Sequence, residues 1–118
     1  MKQALLILFG IGLVFSLQSQ EKPLPTDVKA LTVLAEKGDV EAQYRLAIVY
    51  GSGRGVEQNH QESVKWFRKA AEKGHAKSQV GLGARYDIGM GVEKDSKEAV
   101  KWFRKAAEQD DPGGQFAL

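Results

Sequence analysis

The chain repeats itself with a period of 36 residues. When residues 35–70 are placed on residues 71–106, 19 of the 36 positions are identical. The longest match places Val64-Lys65-Trp66-Phe67-Arg68-Lys69-Ala70-Ala71-Glu72 on the segment that runs from Val100 to Glu108. A period of this size indicates one supersecondary unit that buries its apolar face only by stacking on its neighbours. The sequence therefore predicts an array of repeats in place of a single globular core.

The array accounts for nearly all of the chain after residue 25. We divide it into a half repeat at 26–34, full repeats at 35–70 and 71–106, and a truncated repeat at 107–118. A repeat array needs about three units before its stacked faces are buried. This chain of 118 residues therefore holds barely enough repeats to be stable.

Each repeat is predicted to consist of two helices joined by a glycine-rich loop. The first helix runs from about Val40 to Tyr50, with apolar residues at helical spacing and Asp39 placed to cap it. In the loop, Gly53 recurs as Gly89, as expected where the backbone needs a positive φ. These loops lack the spacing and the Lys-Ser/Thr ending of phosphate-binding motifs, and we interpret them as structural turns.

The second helix of each repeat carries the aromatic residues. It starts at Asn59 with Glu62 three positions later, and at Asp95 with Glu98, which is the pattern of a capping box. Along it, one apolar stripe opposes a charged face, as in a helix packed on one side. The stripe comprises Ser63, Trp66, Phe67 and Ala70, and in the next repeat Ala99, Trp102, Phe103 and Ala106. The basic residues beside the tryptophans could suggest nucleic-acid binding, but the stripe makes packing the favoured interpretation.

The truncated repeat predicts a weak end to the array. Asp111 is a plausible cap and Pro112 occupies the favoured first helical position, but Gly113 and Gly114 follow, and each costs near 1 kcal/mol against Ala. We expect a frayed last helix and an exposed apolar strip around Trp102 and Phe103. A partner or a second copy would cover that strip, so self-association through this end is an expectation.

These residues together resemble the Sel-1-like repeat family, relatives of the tetratricopeptide repeats. The first repeat matches through Ala42-Gln43, Leu46, Tyr50, Gly53-Arg54-Gly55-Val56, Glu62, Val64, Trp66-Phe67, Lys69-Ala70-Ala71 and Gly74. The second matches through Gln79, Leu82-Gly83, Tyr86, Gly89-Met90-Gly91-Val92, Ala99, Trp102-Phe103 and Lys105-Ala106-Ala107. The resemblance implies an all-α fold, a right-handed α-solenoid whose concave face binds a protein or peptide. It also implies an adaptor or scaffold without catalytic activity.

In that architecture the first helices line the concave face. Residues that differ between the two copies there are our candidates for partner contact: Tyr44, Arg45, Ile48 and Arg85. Drift at exposed positions is the alternative explanation. A glutamine instead recurs at one position in three units, as Gln43, Gln79 and Gln115. This recurrence predicts a hydrogen bond between neighbouring repeats, and a row of ligand-binding glutamines is the alternative.

Composition narrows the chemistry further. The chain contains no cysteine, so disulfides, thiol nucleophiles and cysteine zinc sites are excluded. A net charge of +2 argues against nucleic acid. The two histidines, His60 and His75, have no acidic or histidine partner at helical spacing, so no metal site, catalytic base or cofactor is predicted.

Two other functions remain as alternatives. Some secreted members of the family are described as penicillin-binding or β-lactamase-like, which makes a cell-wall or β-lactam hydrolase one alternative. The Ser-x-x-Lys motif that would supply an activated serine is absent from the repeats: Ser19-Gln20-Glu21-Lys22 begins in the predicted signal peptide. The broken third repeat also leaves open a truncated remnant without function of its own.

The first residues predict export. Met1-Lys2 is followed by a charge-free apolar run of 14 residues, Ala4–Leu17, and then by polar residues, as in a secretory signal peptide. The run is shorter than the roughly 20 residues of a membrane span. We therefore predict a signal peptide at 1–19, a linker at 20–25, and a secreted or periplasmic protein. An uncleaved membrane anchor is the alternative.

Overall fold

The structure is a computed structural model that describes Pro25 and residues 27–109 and 111–117. The predicted signal peptide lies outside the described residues, as does most of the linker. The described part forms a sequence of helices without strands, joined by short turns and glycine loops. In chain order they are α1 (Val28–Glu36), α2 (Val40–Ser52), α3 (His60–Glu72), α4 (Ala76–Ile88), α5 (Ser96–Ala107) and α6 (Pro112–Ala117).

Helix pairing follows the repeat. Each helix packs against the next one along the chain, so that α2 with α3 and α4 with α5 form the two complete helix pairs. By the 36-residue register, α1 is a second helix and α6 is a first helix. The predicted right-handed α-solenoid is confirmed by the helical fold and by the relatives described below.

The helices begin where the sequence places their caps. An Asp39 carboxylate oxygen accepts from the backbone N–H of Ala42 at 2.8 Å, and the Asn59 side chain accepts from that of Glu62 at 3.1 Å. The second hydrogen bond of a capping box, from the Asn59 backbone N–H to the Glu62 carboxylate, is absent. The Asn59 N–H donates instead to the carbonyl of Tyr50 at 2.9 Å. Glu62 instead faces Lys65 across 3.9 Å. The backbone hydrogen bond from Asn59 to Tyr50 thus holds the end of the glycine loop against the first helix.

The loop glycines adopt the predicted left-handed conformation, with φ of 72° at Gly53 and 79° at Gly89. Gly91 has a second reason to lack a side chain, because a Cβ there would collide with the backbone carbonyl of His60. The loop of the second repeat therefore packs directly on the start of α3. This close approach ties consecutive repeats together at the level of the backbone.

The core consists of alternating large and small side chains. Leu46 and Leu82 are completely buried, and the aromatic stripe is buried as predicted. Small residues let the paired helices approach: the Ser63 hydroxyl donates to the carbonyl of Ala47 at 2.6 Å. In the next pair, a Cβ at Gly83 would lie 2.8 Å from the Phe103 ring. Close helix contact therefore depends on different small residues in the two repeats.

The expected exposed strip around Trp102 and Phe103 is wrong. Trp102 is 5% and Phe103 9% exposed. The amino groups of Lys101 and Lys105 lie over the Trp102 ring, 5.5 and 4.8 Å from its centre.

The last helix, α6, is a second reason why the Trp102 and Phe103 strip is buried, because it packs closely against α5. A Cβ at Gly114 would lie 2.6 Å from the Phe103 carbonyl oxygen, so the glycines that weaken this helix also let it approach. The predicted cap is present, since an Asp111 carboxylate oxygen accepts from the backbone N–H of Gly113 at 2.8 Å. The exposed apolar residues at this end are instead Val100, at 41%, and Phe116, at 95%.

Candidate interaction surface

The four predicted contact residues fall into two groups. Arg45 and Ile48 are exposed on α2, whereas Tyr44 and Arg85 are half-buried against neighbouring helices. Arg45 and Ile48 belong to one groove, which Tyr44 and Arg85 do not line. The structure therefore does not bring the four side chains together at one site.

Arg45 and Ile48 line an open groove between α1 and α2. Its volume is about 320 Å³, and we call it the α1–α2 groove. It is lined by Pro25, Leu31, Arg45, Ile48, Val49 and Arg54. The exposed Ile48 and the half-buried Val49 provide the accessible apolar surface, whereas Leu31 is only 2% exposed, and the two arginines provide positive charge. Such a groove can take an apolar side chain and pair with an acidic group nearby.

One of these arginines already has a neighbouring carboxylate. Arg45 Nε lies 3.6 Å from an oxygen of Glu41, one helical turn earlier, and both side chains are about half exposed. An exposed pair of this kind contributes only about 0–1 kcal/mol. Arg45 is therefore free to exchange Glu41 for a carboxylate of another molecule.

Tyr44 has a structural role that the sequence comparison missed. Its ring centre lies 6.1 Å from that of Phe67 and 4.9 Å from that of His75, both in tilted arrangements. It therefore fills the junction between α2, α3 and the start of α4. The half-buried Tyr44 ring therefore makes packing contacts within the chain.

Arg85 joins the second repeat to the first. Its Nη1 lies 3.1 Å from Nδ1 of His60 and 2.7 Å from the sulfur of Met90. Its guanidinium also lies 5.7 Å from the centre of the Phe67 ring. Burial lowers the pKa of Arg85, because a charged group loses hydration there. These contacts engage the half-buried Arg85 side chain in packing between the two repeats.

Both histidines have partners that helical spacing could not reveal. His75 caps α4, since its Nδ1 accepts from the backbone N–H of Ser78 at 3.2 Å. Its Nε2 lies 3.2 Å from a carboxylate oxygen of Glu41, 34 residues earlier. The pair thus joins the starts of two consecutive first helices. His60 Nδ1 contacts Arg85.

The predicted glutamine hydrogen bonds are confirmed in two of the three units. Gln43 Nε2 donates to the carbonyl of Ala35 at 3.0 Å, and Gln79 Nε2 donates to that of Ala71 at 3.1 Å. Each bond joins a first helix to the preceding second helix. The third residue, Gln115, is exposed, and no side-chain hydrogen bond is described for it.

The side-chain oxygens of the two buried glutamines differ in their hydrogen-bond partners. Gln79 Oε1 accepts from Gln109 Nε2 at 2.9 Å. Gln43 Oε1 is buried and has no partner among the described residues. The residue at the Gln109 position one repeat earlier is Lys73, whose Nζ donates instead to the carbonyl of Gly38 at 2.9 Å.

The aromatic stripe offers no platform for nucleic acid bases. Trp66 is buried, and Lys65 and Lys69 lie over its ring at 5.3 and 4.9 Å. The packing interpretation of this stripe is therefore confirmed. Across the described part of the chain, no three of the residues His, Cys, Asp and Glu are grouped so that they could hold a metal ion. Within the same residues, no helix is both long and apolar enough to cross a membrane.

Stacked helix pairs, glycine loops and buried aromatic residues define a repeat protein of the α-solenoid class. The Sel1 repeat model matches residues 40–75 and 76–111. The chain belongs to the Sel1-repeat family. The two matched ranges keep the 36-residue period, and each of them begins at the start of a first helix.

Solved structures support the same assignment. The chain is 40% identical to a Sel1 repeat protein from Oxalobacter formigenes, with a TM-score of 0.71 over 74% of this chain and 36% of the other. It is 42% identical to a protective antigen present in uropathogenic Escherichia coli strains and displaying an SLR fold, with a TM-score of 0.74 over 83% and 21%. This chain thus spans about a third and about a fifth of those two proteins.

A more distant relative shows the fold alone. Cysteine rich protein B of Helicobacter pylori is 24% identical, with a TM-score of 0.73 over 77% of this chain and 68% of that protein. No curated protein matches the sequence. Proteins with Sel1 repeats are generally non-catalytic scaffolds that mediate interactions between proteins.

Proposed function

We propose that this chain is an exported, non-enzymatic adaptor that binds a protein or peptide through the first-helix side of its solenoid. The observation that carries the proposal is the α1–α2 groove, where Arg45 and Ile48 are exposed beside each other. Both residues differ from their counterparts in the second repeat, Gly81 and Ala84. A surface that departs from the repeat pattern while the core keeps it suits a specific partner.

The groove favours a partner segment with an apolar side chain next to a carboxylate. Ile48 and Val49 provide apolar contact, and Arg45 and Arg54 provide two guanidinium groups for pairing with that carboxylate.

Arg45→Glu tests the partner surface, with Arg104→Glu on the exposed side of α5 as the matched control. Each protein is captured from the cells that express it after crosslinking, and the recovered proteins are compared by mass spectrometry. We expect Arg45→Glu to lose proteins that the wild type and Arg104→Glu both retain. Equal recovery by all three proteins would contradict the proposed surface.

Export is supported by Lys2 and the apolar run Ala4–Leu17. Cell fractionation followed by intact-mass measurement tests it. We expect a secreted or periplasmic protein that lacks about 19 residues, which is the segment that the signal-peptide pattern predicts to be removed. A full-mass protein in the membrane fraction would establish the anchored alternative.

A further inference from the structure

A polar pocket lies between the end of α1 and the end of α3. Its volume is about 360 Å³, and it is bounded by residues 35–38, by Gln43 of α2, and by Lys69, Glu72 and Lys73. Pockets of about 300–1,000 Å³ are typical of sites that bind small ligands. We call it the α1–α3 pocket. It shares no lining residue with the α1–α2 groove.

Gln43 brings an unpaired hydrogen-bond acceptor to this pocket. The residue is only 3% exposed, and its Nε2 donates to the carbonyl of Ala35 at 3.0 Å. That bond fixes the orientation of the amide, because a carbonyl oxygen only accepts. Gln43 Oε1 is then left buried without a partner among the described residues. A buried acceptor without a donor is costly, so the pocket favours a ligand group that donates a hydrogen bond.

The second repeat shows which kind of group can reach this oxygen. Gln79 makes the same bond to the carbonyl of Ala71, and its Oε1 accepts from Gln109 Nε2 at 2.9 Å. In the 36-residue register, Lys73 stands at the position of Gln109. The Lys73 ammonium donates to the carbonyl of Gly38 at 2.9 Å instead. One repeat thus supplies a carboxamide to its buried glutamine from its own chain, and the other repeat does not.

The charges around the pocket decide between possible donors. The exposed charged residues that line it are Glu36, Lys37, Lys69, Glu72 and Lys73. Three ammonium groups against two carboxylates disfavour a cationic ligand. An anionic carboxylate could pair with a lysine, but it has no hydrogen to donate to Gln43 Oε1. A neutral carboxamide donates from its nitrogen and accepts from a lysine with its oxygen, so it satisfies both requirements.

We propose that the α1–α3 pocket binds a primary carboxamide, carried by a glutamine or asparagine side chain of a partner protein. The ligand nitrogen donates to Gln43 Oε1, as Gln109 does to Gln79. The ligand oxygen accepts from Lys73, whose side chain is exposed and whose bond to Gly38 is exposed as well. The inference rests on the proposed adaptor function for the source of the carboxamide, and it adds the residue type that the partner must present.

The test is a titration of the isotope-labelled protein, expressed from the full chain, followed by nuclear magnetic resonance. The probe is N-acetyl-glutamine N-methylamide, whose only primary carboxamide is its side chain. The control probe is N-acetyl-glutamate N-methylamide, which has nearly the same shape but presents a carboxylate. We expect the side-chain amide resonances of Gln43 to shift saturably with the glutamine probe. The glutamate probe should bind about tenfold more weakly.

Lys73→Gln is the decisive variant. The introduced amide reaches Gln43 Oε1 from within the chain, as Gln109 reaches Gln79. We expect this variant to lose the response to the probe while its melting temperature rises, and mere damage to the pocket would not raise it. Lys97→Gln is the matched control, because it makes the same change at an exposed position of α5 outside the pocket. It should respond to the probe as the wild type does.

Gln109→Lys gives the converse test in the second repeat. The change removes the partner of Gln79 Oε1 and places a lysine where the first repeat has Lys73. We expect the side-chain amide of Gln79 to respond to the glutamine probe in this variant and to stay unaffected in the wild type.

Four outcomes overturn the inference. They are a wild type in which Gln43 does not respond, equal affinity for the two probes, a Lys73→Gln variant that binds like the wild type, and a folded Gln109→Lys variant in which Gln79 stays unaffected. If water or another part of the chain already satisfies Gln43 Oε1, the first of these is observed.

The pocket and the adaptor function can fail separately. The probe titration measures the α1–α3 pocket without any partner protein, whereas crosslinked capture with Arg45→Glu measures the α1–α2 groove. Probe binding together with equal capture by Arg45→Glu and the wild type would sustain the pocket and contradict the groove. The reverse pattern would sustain the groove and contradict the pocket.

Discussion

Arg85 Nη1 lies 3.1 Å from Nδ1 of His60, although the two residues belong to different repeats and are separated by 25 positions. The contact requires that Nδ1 of His60 accepts, because a guanidinium only donates. It fixes the end of α4 to the start of α3. The counterpart of Arg85 in the first repeat is Val49, whose side chain has no donor for such a bond.

His60→Ala should therefore destabilise the protein by about 1–3 kcal/mol, since it leaves a partly buried guanidinium without one of its partners. Urea unfolding measures the change. Ser96→Ala, at the equivalent position of the second repeat, is the control and should be neutral. Equal stability of both variants would show that Met90 and Phe67 suffice to hold Arg85.

Lys73→Gln should stabilise the protein by about 1 kcal/mol, since its amide can donate to the unpaired Gln43 Oε1 as Gln109 does to Gln79. The lost bond from Lys73 to the carbonyl of Gly38 is exposed and contributes less. The reciprocal change Gln109→Lys should destabilise. Thermal melting compares the two, and a shift of the same sign in both would refute the argument.

Tyr44→Phe should retain stability, because the Tyr44 hydroxyl has no hydrogen-bond partner among the described residues and the ring contacts with Phe67 and His75 persist. Tyr44→Ala should cost about 2–3 kcal/mol, somewhat below the usual loss for a fully buried aromatic residue. Denaturant midpoints give both values. An alanine variant that is as stable as wild type would return Tyr44 to the set of free surface residues.

Gly83→Ala should destabilise the protein by about 1–3 kcal/mol, despite the better helix propensity of alanine, because a Cβ there lies 2.8 Å from the Phe103 ring. The comparison is Gly51→Ala, where the nearest atoms are the end of the Arg85 side chain at 2.6 Å and the Ser63 hydroxyl at 3.1 Å. That variant should lose less stability than Gly83→Ala, because a half-buried side-chain end can move more easily than a ring packed between two helices. Calorimetry on both proteins checks the difference.

The period of 36 residues was sufficient to predict the helices, the glycine loops and the glutamine bonds, because these depend on residues that both repeats share. Contacts that join one repeat to the next through residues present in only one copy could not be predicted. Arg85 with His60 and Tyr44 with His75 are of that kind. Tyr44 and Arg85 were predicted to contact a partner because they depart from the pattern, and the structure shows that both also make packing contacts within the chain.

The prediction for the last repeat failed for a related reason. A count of apolar positions treats Trp102 as uncovered unless another repeat follows. Lys101 and Lys105 cover its ring with their own side chains, and Gly114 lets a short helix approach where a larger residue could not. Of the candidate contact residues, Arg45 and Ile48 remain on an open surface, where the sequence difference and the geometry agree.

The junction at Arg85 also bears on how such an array can lengthen by internal duplication. A tandem copy of the second repeat would bring a new Arg85 beside Asp87 in place of Gly51, and beside Ser96 in place of His60. The guanidinium would exchange an imidazole for a carboxylate, which is a stronger acceptor for it. The second repeat therefore carries a carboxylate at the position where a further copy of itself would present Arg85.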